Sequence, residues 1–147
     1  MLNAAWSEID LDSATWTIPG RRMKSSREHR VPLSLRCVEI VNSVNSDSDL
    51  IFPVGEQLGR ALYYELKRMG VDVSVHGFRS TFRDWAAEQT TFPNHVIEQA
   101  LAHSIGKVEA AYRRSDLLEQ RRALMESWAR YCDGTSDAAV VPLRKMR

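Results

Sequence analysis

A set of cationic hydrogen-bond donors followed by a tyrosine has the clearest chemistry in this sequence. His76 and Arg79 lie three residues apart, His103 comes later, and Tyr112 lies nine residues beyond His103. Such donors can hold the oxygens of a phosphodiester while a tyrosyl oxygen attacks its phosphorus. These residue types therefore indicate phosphoryl transfer through a covalent phosphotyrosyl intermediate.

Each of these residues also has an ordinary structural explanation. His76 and Arg79 could be polar neighbours on a solvated helix face, since pairs at that spacing are common on helices. His103 could be a favourable cation at the carboxyl end of a helix, and Tyr112 a half-buried aromatic whose hydroxyl finds a partner. Their order along the chain, rather than any single residue, favours the chemical interpretation.

The bulk composition predicts one packed domain. The 147 residues are 44% hydrophobic, which is enough for a single core. Twenty Lys and Arg residues against nineteen Asp and Glu residues give a net charge of +1, so any nucleic-acid contact must come from local clustering of charge.

Cys37 and Cys132 lack metal-ligand spacing, which predicts no metal site and reduced thiols. Without a signal peptide or an apolar run of membrane-spanning length, we expect a cytoplasmic protein.

The first part of the sequence predicts a small antiparallel sheet. Alternating patterns over 6–10, 15–18 and 29–33 are typical of short strands separated by turns. The connection over 19–28 carries four basic residues and should project into solvent. These residues are Arg21, Arg22, Lys24 and Arg27.

The remainder predicts helices. Ser34 is the predicted N-cap of a first helix, and apolar residues at helical spacing over 58–69 predict a second one that lies on the core and stops at Gly70. A third helix over 75–89 would place Phe78, Phe82 and Trp85 on one face, with His76, Arg79 and Arg83 on another. Pro93 opens a further helix, and a short one carries Tyr112. A last helix over 116–131 ends at Asp133-Gly134, before a loose tail.

The ordered set, including Lys24, resembles the catalytic domain of the tyrosine recombinase (phage integrase) family, especially integrases of prophages and genomic islands. The likeness runs from Trp6 to Tyr131. The family's catalytic lysine lies between the second and third strands, as Lys24 does, and its His-x-x-Arg motif resembles His76-Gly77-Phe78-Arg79. The family's later histidine or tryptophan matches His103 in Leu-Ala-His-Ser, and its nucleophile matches Tyr112 in Ala-Ala-Tyr. The segment 140–144 resembles a C-terminal extension of this group.

The resemblance implies a fold and an activity. The fold would be α+β and mainly helical, of the DNA breaking-rejoining type, with an N-terminal three-stranded antiparallel sheet packed on a helical catalytic core. Residues 1–133 would form a partial catalytic domain and residues 134–147 a tail. The activity would be DNA cleavage and rejoining in site-specific recombination, through a 3′-phosphotyrosyl bond. The partners would be double-stranded attachment-site DNA and further protomers on it, in the nucleoid, with no membrane, metal or small-molecule cofactor.

The resemblance also assigns roles. Arg79 would hold two phosphate oxygens, His76 would accept the tyrosyl proton or share the phosphate, and His103 would donate to a phosphate oxygen. Lys24 would protonate the departing 5′ oxygen, and Tyr112 would attack. The expected DNA contacts are Arg21, Arg22, Lys24, Arg27 and Arg83.

One departure from the family pattern is expected to matter. The family's first catalytic arginine should lie on a helix just before Trp6, where this chain has only Met1 to Ala5. That segment and the N-terminal DNA-binding domain are absent from these residues, so the fold would be truncated at its N-terminus. Weak or absent recombination is expected. A non-catalytic remnant that binds DNA or a recombinase protomer is an alternative, and a type IB topoisomerase is a less favoured one.

Overall fold

The structure is a computed structural model that describes residues 3–44, 46–53, 58–71, 73–103 and 115–135. In these ranges a three-stranded sheet precedes a set of helices, which confirms the predicted α+β, mainly helical class. The strands are β1 (Ile9–Asp10), β2 (Thr15–Ile18) and β3 (His29–Pro32). The α-helices are α1 (Leu35–Ser43), α2 (Leu58–Arg68), α3 (Gly77–Gln89), α4 (Asn94–Ala100) and α5 (Leu118–Cys132).

The sheet is antiparallel throughout, in the order β1-β2-β3. Trp16 in its central strand pairs with Ile9 on one side and Val31 on the other. The prediction of a strand beginning at Trp6 was wrong, because Trp6–Glu8 forms a 3-10 turn. The Glu8 carboxylate accepts a hydrogen bond from the Trp16 indole at 3.1 Å, and the Glu8 amide bonds to the Ala5 carbonyl at 3.0 Å. These bonds close a turn where a longer strand was expected.

The main core lies between α3, α4 and α5. Leu124 and Val96 are fully buried there, and Trp128 lies edge-on to Phe82 with ring centroids 5.4 Å apart. Phe78, which was predicted to pack on this face, is 52% exposed, because the buried residues of α3 begin one turn later at Phe82. The buried members of the cluster are Phe82, Trp85, Ala86, Val96, Ile97, Leu101 and Leu124.

The second helix differs from its prediction. No residue of α2 whose side chain is described is buried, and Leu62 is 40% exposed, so the prediction that this helix lies on the core was wrong. The apolar spacing indicated an amphipathic helix correctly, but the described core is filled by α3, α4 and α5. The predicted stop is confirmed, since Gly70 has a φ of +70°. In the described ranges, none of the helices combines the length and apolar character that crossing a bilayer requires.

A fully buried arginine joins α5 to the sheet. Arg121 is 1% exposed, and its guanidinium donates to the backbone carbonyl of Arg30 at 2.6 Å and to that of Asp116 at 2.8 Å. The Arg30 side chain in turn forms an ion pair with the Asp116 carboxylate at 2.7 Å. Strand β3 and the residues that precede α5 are therefore held together by one connected network.

The half-buried His29 in β3 should make folding stability fall in mild acid. Burial lowers the pKa of His29 and the Arg121 guanidinium lowers it further, while Asp116 opposes both. A histidine whose pKa is lowered by folding stabilises the native state above its unfolded pKa of about 6.5, and this contribution is lost as the pH falls through the folded pKa. His29→Gln should therefore lose less stability than the wild type between about pH 7 and pH 5 in urea unfolding. Equal losses in the two proteins would contradict this expectation.

Candidate active site

The structure describes four of the five predicted catalytic residues. Lys24 lies in the β2–β3 connection, His76 immediately precedes α3, Arg79 lies in the first turn of α3, and His103 follows α4. All four side chains are exposed, as residues that contact a large substrate must be. Tyr112, together with the short helix predicted to carry it, lies outside the described residues.

A hydrogen bond brings Arg79 to the carboxyl end of α4. One terminal nitrogen of its guanidinium donates to the backbone carbonyl of Leu101. His103 lies two residues further on, and its backbone amide bonds to the Glu98 carbonyl at 3.0 Å. Ala102 between them adopts a left-handed conformation with a φ of +53°, which turns the chain out of the helix. The start of α3 and the end of α4 therefore place Arg79 and His103 in one region.

His76 is placed beside this region by the start of α3. It occupies the position before the helix with helical backbone angles, and its side chain caps no backbone amide. Its carbonyl accepts a hydrogen bond from the Arg79 amide at 3.1 Å, so the two residues belong to the same turn. The His76 side chain is exposed and makes no helix-capping bond, so it lies where a substrate can reach it.

The structure adds Glu98 to this group, a residue that the sequence analysis did not single out. Its carboxylate contacts the Nδ1 of His103 at 2.5 Å and the Nε of Arg83 at 2.9 Å. The hydrogen bond with His103 lowers the pKa of Glu98, partial burial opposes it, and Arg83 lowers it again. Arg83 lies four residues after Arg79 on the same face of α3. Because two like charges at this spacing repel each other, they favour a nearby carboxylate, and this was the signal available in the sequence.

Only some of the basic side chains on the connection between β2 and β3 are exposed to solvent. Arg21, Lys24 and Arg27 are exposed, whereas Arg22 turns back to the Glu8 carboxylate and to the backbone carbonyl of Asn3. A basic surface at Lys24 is thus available to an anionic partner. Within the described ranges, no hydrogen bond ties Lys24 to α3 or α4. The role of each of these side chains in binding DNA stays a prediction.

The described residues do not form a metal centre. No group of three or more histidine, cysteine, aspartate or glutamate side chains in these ranges is arranged to hold a metal ion. The side chains at the α3–α4 end are instead mainly cationic donors, which is the chemistry that suits an oxyanion such as a phosphate.

Comparison with known proteins agrees with this fold and chemistry. The sequence profile of the phage integrase family matches residues 1–119. The prophage integrase IntA of Escherichia coli K12 is 37% identical over 149 residues, covering 94% of this chain and 36% of that protein. The integrase of Enterobacteria phage P4 is 32% identical, covering 88% of this chain and 36% of its own. No solved structure gives a significant match.

The chain belongs to the phage integrase family, the tyrosine recombinases. It spans about a third of the length of the curated relatives that it matches, since the aligned region is 36% of both IntA and the phage P4 integrase. The matched region contains every residue of the predicted catalytic set, because the family profile extends from residue 1 to residue 119.

Proposed function

We propose that this chain contributes a catalytic domain of a tyrosine-type site-specific recombinase, which cleaves and rejoins double-stranded DNA at attachment sites. The observation that carries the proposal is the hydrogen bond from Arg79 to the Leu101 carbonyl, which puts Arg79 beside His103 at the end of α4. Arg79 belongs to the His-x-x-Arg motif and His103 to the later family motif. Two donors far apart in sequence therefore belong to the same end of α4, where we propose that one phosphate binds both.

The proposed reaction needs no cofactor, because one phosphoester bond replaces another and side chains carry the protons. The phenolic oxygen of Tyr112 attacks phosphorus, the bond from phosphorus to the 5′ oxygen breaks, and a 3′-phosphotyrosyl bond replaces it. His76 accepts the phenolic proton, and Lys24 supplies a proton to the leaving 5′ oxygen. Arg79 and His103 hold the non-bridging oxygens, where negative charge grows in the transition state. Rejoining is the same reaction reversed with another 5′ hydroxyl, because the covalent bond keeps the energy of the broken one.

Binding of DNA is proposed to depend on the exposed basic side chains. Arg21, Lys24 and Arg27 on the β2–β3 connection and Arg83 on α3 would contact backbone phosphates, with Arg22 supporting the connection from within. Recombination joins two duplexes, so several protomers would assemble on the DNA. The protein would act in the cytoplasm, on nucleoid DNA.

The proposed reaction leaves a covalent protein–DNA bond that can be detected directly. The test is incubation with nicked fragments of the genome that encodes the protein, followed by denaturing electrophoresis. A denaturant-resistant protein–DNA adduct supports the proposal. DNA binding with no adduct after prolonged incubation would support a non-catalytic remnant instead.

Replacing Arg79 should lower the rate of adduct formation more than it lowers DNA binding. Arg79→Lys keeps the charge but loses the planar fork that holds two oxygens, and it cannot bond both the Leu101 carbonyl and a phosphate in the same geometry. We expect a loss of about 10²-fold in single-turnover rate. Arg60→Lys, at an exposed position on α2, is the matched control and should change little. Equal rates in wild type and Arg79→Lys would remove Arg79 from the site.

A further inference from the structure

The two oxygens of the Glu98 carboxylate hold two different groups. Oε2 lies 2.5 Å from Nδ1 of His103, and Oε1 lies 2.9 Å from Nε of Arg83. The Glu98 side chain is 24% exposed, which makes it more enclosed than either partner, at 40% for His103 and 49% for Arg83. Glu98 therefore lies beneath the side chains of His103 and Arg83, which have their outer surfaces in solvent.

We propose that Glu98 is a positioning residue for the strand-transfer reaction: it holds Nδ1 of His103 so that Nε2 is the ring nitrogen presented to the DNA phosphate. Arg83 on α3 keeps the carboxylate in place from the opposite side. This inference rests on the proposed function, because it gives His103 its orientation toward a phosphate. It assigns a role to a residue outside the five that the family resemblance predicts.

The chemistry of the two side chains requires this direction. A carboxylate accepts hydrogen bonds and has no proton to give, so the proton between the two groups belongs to Nδ1 of His103. The lowered pKa of Glu98 is consistent with a carboxylate that stays ionised. With Nδ1 occupied, the ring of His103 cannot turn over without breaking the bond. Only Nε2 then remains to meet a substrate, and it can donate to a phosphate oxygen when the ring carries a proton on both nitrogens. Carboxylates orient catalytic and metal-binding histidines elsewhere in the same way.

A purely structural role for Glu98 would have a small effect. The ion pair between Arg83 and Glu98 joins α3 to α4 near the surface, and partly exposed pairs of this kind contribute little to stability. The two helices are already joined by buried residues, including Phe82 and Val96. Removing the carboxylate should therefore leave the fold intact, which makes its effect on His103 measurable.

The contact itself can be tested without any reaction. In long-range ¹H–¹⁵N spectra of the full chain, the wild-type His103 ring should show a protonated, hydrogen-bonded Nδ1. Glu98→Ala should change that signal toward the mixture of forms that a free histidine shows. Glu98→Gln, whose amide oxygen still accepts a hydrogen bond, should retain part of it. Glu88→Ala, at an exposed site near the end of α3, is the control and should leave the ring unchanged. An identical His103 signal in Glu98→Ala would overturn the proposal.

A double-mutant cycle then tests whether Glu98 acts through His103. Glu98→Ala should lower the single-turnover rate of adduct formation by about 10- to 100-fold, the range typical of residues that orient a functional histidine. His103→Ala should lower it at least as much, and the double variant should be no slower than His103→Ala alone. Additive losses would overturn the positioning role even if the ring signal had changed.

The outcomes separate this inference from the proposed function. If the wild type forms an adduct but the cycle is additive, the recombinase function stands and the role of Glu98 falls. If no adduct forms with any DNA while the ring signal still depends on Glu98, the proposed function fails, and the catalytic role of Glu98 fails with it. Thermal unfolding of each variant should lie close to that of the wild type, which keeps misfolding from imitating either result.

Discussion

Tyr112→Phe is expected to abolish the denaturant-resistant adduct with nicked DNA. A phenylalanine has the same ring but no oxygen to attack phosphorus, so no covalent bond can form. Loss of a covalent nucleophile lowers a rate on the order of 10⁶-fold, which is below detection in a gel assay. DNA binding should be retained, because the cationic side chains that contact phosphates are unchanged.

Another tyrosine in this chain provides a direct control. Tyr64 on α2 is 68% exposed, and Tyr64→Phe should form adduct at the wild-type rate. Peptide mapping of the wild-type adduct should place the DNA on the fragment that contains Tyr112. An adduct of undiminished strength in Tyr112→Phe, or one that maps to Tyr64, would exclude Tyr112 as the nucleophile. The family membership of the chain would not change, but its assigned mechanism would.

Arg121→Met is expected to cause the largest loss of stability among substitutions outside the hydrophobic core. The methionine keeps much of the apolar stem but removes the donors that the carbonyls of Arg30 and Asp116 now have at 2.6 and 2.8 Å, in two partly buried hydrogen bonds. An acceptor left unsatisfied away from water costs about 1–3 kcal/mol, so the two bonds together predict a loss of up to about 6 kcal/mol. Burial lowers the pKa of Arg121, which shows that holding its charge here is itself costly.

Urea unfolding measures this loss. Arg130→Met on the exposed side of α5 is the matched control and should change stability by less than about 0.5 kcal/mol. A loss in Arg121→Met no larger than in the control would mean that water replaces the guanidinium at no cost. The position also matters for chemistry, because Arg121 bonds to the carbonyl of Asp116, which lies four residues after Tyr112 in the sequence. We therefore expect Arg121→Met to slow adduct formation as well.

Elements that depend on neighbouring residues formed as the sequence predicted. Ser34 accepts a hydrogen bond from the Cys37 amide at 3.2 Å, as its predicted role as an N-cap requires. Gly134 has a φ of +68° just after α5, where a helix stop was predicted. These features depend on a few neighbouring residues, so the local sequence is sufficient to predict them. The predicted strand at Trp6 was wrong because Glu8 bonds to Trp16 in β2, and no local pattern reveals a contact between separate segments of the chain.

The site residues were also predicted from the sequence alone, since a His-x-x-Arg motif, a later histidine, a tyrosine and a basic turn occur in the order that resembles the family. The tertiary structure alone decided what surrounds them. It placed Glu98 against His103, buried Arg121 against a carbonyl 91 residues away in sequence, and left the apolar residues of α2 exposed. The physical reason is that residue spacing determines which side chains share a face of a helix or strand, whereas only the packing of distant elements determines what that face meets.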